Sequence, residues 1–365
     1  MIAQRLRVAS ENGNESDMTK LGFLGAMNRD LVANLSGADL IKQIGVEAVL
    51  LVETAVSDEA ANSGAEALAR LGAKTFLGGS AFNVARVVGL LNETNRKIDG
   101  QFIGIAGAID GGWPHVETLA ALGIAPRQIA MLELPPATCL AMVEPGGRTL
   151  LTALGANAKV REFLIAERAR IVSAVAECDV VHITSFLDAE VPALLAGIVA
   201  DAKQVNPELK LSLDPGAAWV FPGGDGFAQI LKQTDILHLN HEELEHLMKS
   251  SAGDISGVGV RLAQSGWMIV SRHHEWVGVY QGQGGEVSAQ YELPKTNDLV
   301  SVVDANGAGD TFCGAFLWAW LTGSAAIDAA RFGFVCARAK VSVSGPLTPD
   351  TLPQEAFAFE LGPTR

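Results

Sequence analysis

The sequence predicts an α/β fold: a three-layer αβα arrangement with a mostly parallel central sheet and a small β-sheet lid. Two observations carry that expectation. Short apolar runs alternate with helix-period segments through most of the 365 residues, the pattern of parallel strands joined by crossover helices. Two hairpin signals interrupt the alternation, which adds short antiparallel pieces to the parallel sheet.

Taken in order, the polar stretch Glu11-Asn12-Gly13-Asn14-Glu15-Ser16-Asp17 has no apolar face to bury and reads as part of a loose leader over 1–18. Strands are expected at Leu21–Ala26, Phe102–Gly107, Val180–Thr184, Leu209–Asp214, Ile236–Leu239 and Met268–Ser271, all short apolar runs. Val84, Val87, Val88 and Leu91 recur at helical spacing, as do Val116, Leu119 and Leu122. The segment from Asp58 to Gly72 also reads as helical. Thr138–Glu144 and Arg148–Leu154 flank Pro145-Gly146-Gly147, and Val277–Gln281 and Glu286–Tyr291 flank Gly282–Gly285, so each pair reads as a hairpin. With the strand-like Asp30–Leu35, the first hairpin is expected to form a small sheet over a ligand site. The domain is drawn at 19–350, with lid segments near 30–77 and 138–154 and a tail over 351–365.

Hydrophobic residues make up 48 % and charged residues 19 %, a core-rich balance. The 27 Lys+Arg against 41 Asp+Glu leave −14 at neutrality, with no basic run. That excludes a nucleic-acid partner by charge and requires local donors for any anionic ligand. Cys139, Cys178, Cys313 and Cys336 form no CxxC pair, so neither a zinc pattern nor a disulfide framework is expected. No apolar run reaches membrane-span length, and a cytoplasmic enzyme without membrane partners is the expectation.

Asp304-Ala305-Asn306-Gly307-Ala308-Gly309-Asp310 precedes the apolar run Thr311–Leu321, which Gly323 stops. A helix start offers unpaired N–H groups and the positive end of its dipole. Glycine and alanine leave those groups open to an anion, and Asp310 adds a carboxylate beside them. Phosphoryl transfer to an alcohol needs such a pair, although a tight connection with Asp310 as a cap fits the spacing equally well. Gly78-Gly79-Ser80-Ala81-Phe82-Asn83 repeats the logic, with Ser80 as candidate N-cap and Asn83 as cap or sugar-hydroxyl ligand. Asn28 and Asp30 close the first strand, as a surface turn or as ligand contacts.

Together these motifs resemble the ribokinase-like, or PfkB, family of carbohydrate and nucleoside kinases, in order from about Leu21 to Pro346. The Asn-x-Asp of that family resembles Asn28 and Asp30, and its Gly-Gly-x-x-x-Asn resembles Gly78, Gly79 and Asn83. Its lid Arg-Thr resembles Arg148-Thr149, followed by Gly155-Ala156-Asn157. Its Asn-x-x-Glu resembles Asn240 and Glu243, and its closing signature resembles Asp304 to Asp310. The resemblance implies ATP and Mg²⁺ as cofactors. It implies Asp310 as base, Gly307, Ala308 and Gly309 as anion hole, and Asn28, Asp30, Gly78, Gly79 and Asn83 as acceptor contacts. Asn240, Glu243, Ser271 and Asn306 would serve the nucleotide and its Mg²⁺-bound phosphates, with no residue assigned as a direct metal ligand. In some relatives a monovalent cation binds near the residue matching Asp304, which extends the option of K⁺ to this chain.

The family's Thr-x-Gly-x-x-Gly is replaced by Ser271-Arg272-His273-His274-Glu275-Trp276, with both glycines lost. That puts the loop's nucleotide contacts in question. Phe334 stands where a small or polar residue is expected. His241 and His246 are five apart, which argues against zinc on one helix face, and Trp318 and Trp320 read as packing. The long segment between Asp30 and Gly78, and Asn306, are more like the adenosine-kinase branch. The expected acceptor is a sugar or, alternatively, a nucleoside, in a monomer or homodimer. A non-catalytic relative is the third reading, carried by His273 and Trp276 alone.

Overall fold

Strand alternation sorts the apolar residues of the central sheet onto two faces. Leu21 and Phe23 point one way and Leu24 the other, and Val180 and Val181, Ile236 and Leu237, and Met268 and Ile269 divide likewise. The computed structural model describes residues 18–51, 53–93, 97–144, 147–262, 266–296 and 300–354. In chain order the strands are β1 (Thr19–Leu24), β2 (Asn28–Asn34), β3 (Glu53–Ala55), β4 (Lys74–Gly78), β5 (Ile98–Gly107), β6 (Ile124–Leu132) and β7 (Ala137–Glu144). They continue as β8 (Gly147–Ala153), β9 (Val180–Thr184), β10 (Lys210–Asp214), β11 (Ile236–Asn240), β12 (Trp267–Arg272), β13 (Val277–Gln283) and β14 (Glu286–Glu292).

The large sheet has the order β14-β13-β12-β11-β10-β9-β1-β5-β6. From β6 to β12 all neighbours are parallel, and β13 and β14 add antiparallel pairings at one edge. Because β1 pairs with both β5 and β9, the strand order reverses there and opens a crevice at the carboxyl ends. One face is covered by helices Ser80–Asn92, Ala308–Leu321 and Ala326–Val341. The other is covered mainly by Val160–Ala166, Arg168–Ala176, Val191–Val205 and Asp225–Leu231. Phe312, Phe316 and Trp318 of the helix Ala308–Leu321 are almost wholly buried, each contributing roughly 1.5–3 kcal/mol or more. An exposed ion pair such as Arg70–Glu66 adds at most about 1 kcal/mol, so apolar burial is what fixes the start of this helix in place.

The second sheet, β3-β8-β7-β2-β4, is the lid. Leu31, Leu140, Met142 and Leu151 pack with Leu40 and Leu68 of helices Gly37–Ile44 and Asp58–Arg70. Their alternates Asp30, Cys139 and Thr152 face the crevice. The sequence signals for β1, β5 and β7–β14 hold to within a few residues. Three strands carried no clear signal: β6 has Pro126 inside it and lies at the sheet edge, β3 is only three residues long, and β4 fills the short stretch between the expected helix ending at Gly72 and the diglycine. Trp318 packs in the core with Trp320 beside it, and Phe334 packs against the same cluster under the Arg338 guanidinium. The leader residues 1–17, the turn residues Pro145 and Gly146, and residues 355–365 of the tail lie outside the described residues.

Candidate active site

A cleft of about 630 Å³ opens between the lid and the carboxyl ends of β9 to β12. It is lined by Asn28, Asp30, Gly79, Asn83, Asn240, Glu243, Asn306, Gly307, Gly309 and Asp310, so most residues singled out in the sequence converge there. Gly78, Ala308, Ser271 and Asp304 do not line it. Its carboxylates are Asp30, Glu53, Asp188, Asp214, Glu242, Glu243 and Asp310, and its only cationic side chains among the described residues are Arg148 and Arg272.

At the cleft floor Gly307 has a φ of 74°, in the left-handed region, and directs the chain into the helix Ala308–Leu321. Thr311 closes the first turn by donating its N–H to Gly307 O at 2.9 Å, while the Gly309 and Asp310 N–H groups have no acceptor among the described residues. Asn83 Nδ2 donates to Asp310 Oδ2 at 2.8 Å, linking the two glycine motifs and leaving the other carboxylate oxygen without a donor among the described residues. Burial raises the Asp310 carboxyl above its ordinary range; the Asn83 bond opposes this, Asp214 adds to it, and Arg148 and Arg272 counter it.

The half of the cleft under the lid is polar. Asp30 is buried and receives a 3.0 Å hydrogen bond from Asn306 Nδ2. Burial pushes its carboxyl up to about 7, with the Asn306 bond working against and Asp310 reinforcing the shift. The diglycine has two reasons to lack side chains. A methyl on Gly78 would lie 2.2 Å from Asp30 Oδ2, and one on Gly79, whose φ is 103°, would lie 2.1 Å from Ala26 O. Arg148 Nη1 donates to Asn306 Oδ1 at 2.8 Å, so the lid is tied to the Gly307 turn through Asn306. Thr152 Oγ1 donates to Glu53 Oε1 at 2.7 Å, and Asn157 Nδ2 to Asn28 Oδ1 at 3.1 Å. The Asn157 Oδ1 is buried without a partner among the described residues.

On the opposite side, Asn240 and Glu243 form a capping box at the start of helix His241–Lys249. Glu243 N donates to Asn240 Oδ1 and Asn240 N to Glu243 Oε2, both at 2.8 Å. Burial, then Asp214, raises the Glu243 carboxyl. Ser271 is fully buried, its Oγ without a partner among the described residues, and the cleft wall is made instead by its neighbour Arg272. Arg272 Nη2 pairs with Asp214 Oδ2 at 2.8 Å. Asp304 is withdrawn behind the loop. It accepts from Asn306 N at 2.8 Å and Gly345 N at 2.9 Å, and its Oδ2 lies 3.3 Å from Lys340 Nζ.

Glu53, Thr152, Asn157, Asp214 and Arg272 also line the cleft, and the sequence assigned none of them a role there. Asp214 and Arg272 end strands of a parallel sheet, where ligands bind, and that position was a usable signal. Glu53 lies on a strand too short to be seen in the sequence.

Residues 72–353 match the pfkB family carbohydrate kinase profile. The chain belongs to the PfkB family. It is thus an ATP-dependent phosphotransferase with an alcohol acceptor, and its ribokinase-like α/β architecture agrees with that membership. It is 27 % identical over 243 residues to an uncharacterized sugar kinase of Archaeoglobus fulgidus, covering 66 % of this chain and 91 % of that one. It is 28 % identical over 267 residues to an ATP-dependent ribose-1-phosphate kinase of Halopiger xanaduensis, covering 71 % and 78 %. Among solved structures, adenosine kinase from Sinorhizobium meliloti superposes with a TM-score of 0.72 at 18 % identity, over 94 % of this chain and all 100 % of that one. Ribokinase from Thermotoga maritima gives 0.64 at 20 %, over 94 % and 99 %. Among the described residues, no helix is long and apolar enough to cross a membrane.

Proposed function

We propose that this kinase transfers the γ-phosphoryl group of MgATP to a hydroxyl of an uncharged sugar. The observation that carries the reading is Asp310, at the start of the helix Ala308–Leu321, oriented by Asn83 beside free backbone N–H groups. In the step, the acceptor oxygen bonds to the γ-phosphorus as the bond to the bridging oxygen breaks. ADP leaves with the electron pair, and the acceptor proton passes to Asp310. The N–H groups of Gly309 and Asp310 donate to the phosphoryl oxygens as charge develops on them. Asp30, poised near neutrality, and Asn28 hold the acceptor's other hydroxyls.

The residues fit a magnesium ion. Glu243, raised by burial and by Asp214, is a carboxylate whose charge a cation would relieve. Glu243 and Asn240 would hold it through the nucleotide phosphates, where it supplies charge neutralisation. Asp304 does not fit a monovalent cation. Its negative charge already faces the Lys340 ammonium, which also donates to Asp304 O at 2.8 Å.

A neutral acceptor follows from the charges. Asp30, Glu53 and Asp310 face that half of the cleft, and its one guanidinium among the described residues, Arg148, is engaged by Asn306. A phosphorylated acceptor such as ribose 1-phosphate, named for the Halopiger relative, would meet carboxylates. A nucleoside is the second reading, favoured by Leu51, Leu150 and Leu154, which also line the cleft and offer apolar surface for a base.

ADP release from MgATP across neutral sugars, nucleosides and sugar phosphates tests the proposal. Neutral sugars are expected to give the highest kcat/KM. Turnover confined to nucleosides supports the second reading, and turnover confined to sugar phosphates overturns the charge argument.

A further inference from the structure

The cleft's second cation has no role in the scheme above. Arg272 ends β12 directly beside Asn240, the last residue of β11, its register partner across the parallel pair. Its guanidinium is mostly buried and is clamped by Asp214, with Nη1 lying 3.6 Å from Cys313 Sγ one turn into the helix that carries Asp310. It lies against the backbone of Gly309: a methyl there would sit 3.2 Å from Nε and 3.3 Å from Nη2. The loop after it is braced as well. His273 N donates to Trp276 O at 2.9 Å, and His273 stacks on Trp276, with centroids 5.5 Å apart, while both rings pack on His241. The side chains that replace the glycines of this loop therefore hold β12 and β13 in a rigid turn, with Arg272 at the lip of the anion hole.

We propose that Arg272 is a catalytic residue of the donor side, whose guanidinium contacts the transferring phosphoryl group and the leaving phosphate oxygens. This rests on the reading of Gly307 to Asp310 as the transfer site. An anion seated on the Gly309 N–H lies within reach of a guanidinium that packs on the same glycine. In a chain of net charge −14, that side of the cleft has no other positive side chain among the described residues. Arginine suits the role because its planar fork can pair with Asp214 through one edge and offer the remaining N–H groups to phosphate oxygens. No bond is made or broken on Arg272. As the bridging bond breaks, the negative charge moving onto the ADP oxygens and spread over the phosphoryl group faces the guanidinium, which selectively stabilises that arrangement.

The test is steady-state kinetics of Arg272→Met and Arg272→Lys with the best acceptor, with and without added guanidinium chloride at a non-denaturing concentration. The expected result for Arg272→Met is a kcat loss on the order of 10³-fold, with the acceptor KM changed less than about threefold. Guanidinium should recover part of kcat in that variant and none in the wild type, and Arg272→Lys should fall between. Because Arg272→Met leaves Asp214 buried without its partner, Arg272→Met combined with Asp214→Asn is measured alongside. Removing both charges restores the balance, and the same kcat loss and rescue are expected. Unchanged kcat in Arg272→Met overturns the proposal. So does a loss that guanidinium does not recover and that tracks a fall in melting temperature, which is the signature of a structural pair. Asp310→Asn run in parallel separates the two readings: if it collapses while Arg272→Met turns over normally, only the role of Arg272 fails.

Discussion

At Asp30, stability and the proposed function meet in a single carboxylate. Burial penalises its charged form and pushes its carboxyl up to about 7 in the fold, above the ordinary aspartate value of about 4. The folded state therefore binds this proton more tightly than the unfolded chain does. Stability is full below pH 4 on this account and is lost as pH rises through 7, by at most about 4 kcal/mol. Asp30→Asn removes the ionisation, so the variant should melt higher than the wild type at pH 8 and the gap should close toward pH 4. A differential scan at the two pH values reads this directly, and an equal gap at both would show that Asp30 is not strained by its charge. The same variant should raise the acceptor KM, since a carboxylate suited to bind a hydroxyl in either protonation state has been replaced. A residue that costs stability where it faces a cleft is a mark of a functional position.

At the scale of elements, the site depends on how two glycine turns launch two helices. The turn at Gly307 needs a left-handed φ of 74°, which a branched residue adopts at a cost of roughly 1–3 kcal/mol. Gly307→Val would also push a side chain toward Asn83 Nδ2, 3.5 Å from the methyl position. Turnover should fall by about 10²-fold or more, as expected when an oxyanion donor is displaced, while acceptor binding measured by calorimetry stays near the wild-type value. Turnover near the wild-type rate would contradict the anion-hole assignment. Both turns were legible in the sequence because glycine, an adjacent carboxylate or amide, and an apolar helix are all local signals. Ser271 was misleading for the opposite reason. Strand alternation decides which of two neighbours faces the crevice, and Ser271 points inward while Arg272 lines the cleft. That parity depends on where a strand is placed in its sheet, not on the residue type alone.

For the molecule as a whole, strand–helix alternation was enough to anticipate a parallel sheet, and its carboxyl ends were enough to locate the crevice. The lid was harder to read. β2, β3 and β4 belong to a long stretch between Asn28 and Gly78; β2 pairs with β7 and β3 with β8 across about 100 positions, and β4 pairs with β2 across 42 to 50. The contacts that close the site, Asn83 to Asp310 and Arg148 to Asn306, likewise span 227 and 158 positions. No local pattern encodes such distances; they follow from packing the lid against the Gly307 turn. The same packing leaves Asp310 half-buried and oriented by Asn83, and the proposed chemistry rests on Asp310. The most direct measurement is kcat for MgATP-dependent phosphorylation of the best acceptor by the wild type and by Asp310→Asn, with acceptor affinity measured by calorimetry on both. The expected result is a kcat loss of about 10²–10⁴-fold with acceptor affinity essentially unchanged. Wild-type turnover in Asp310→Asn would contradict it.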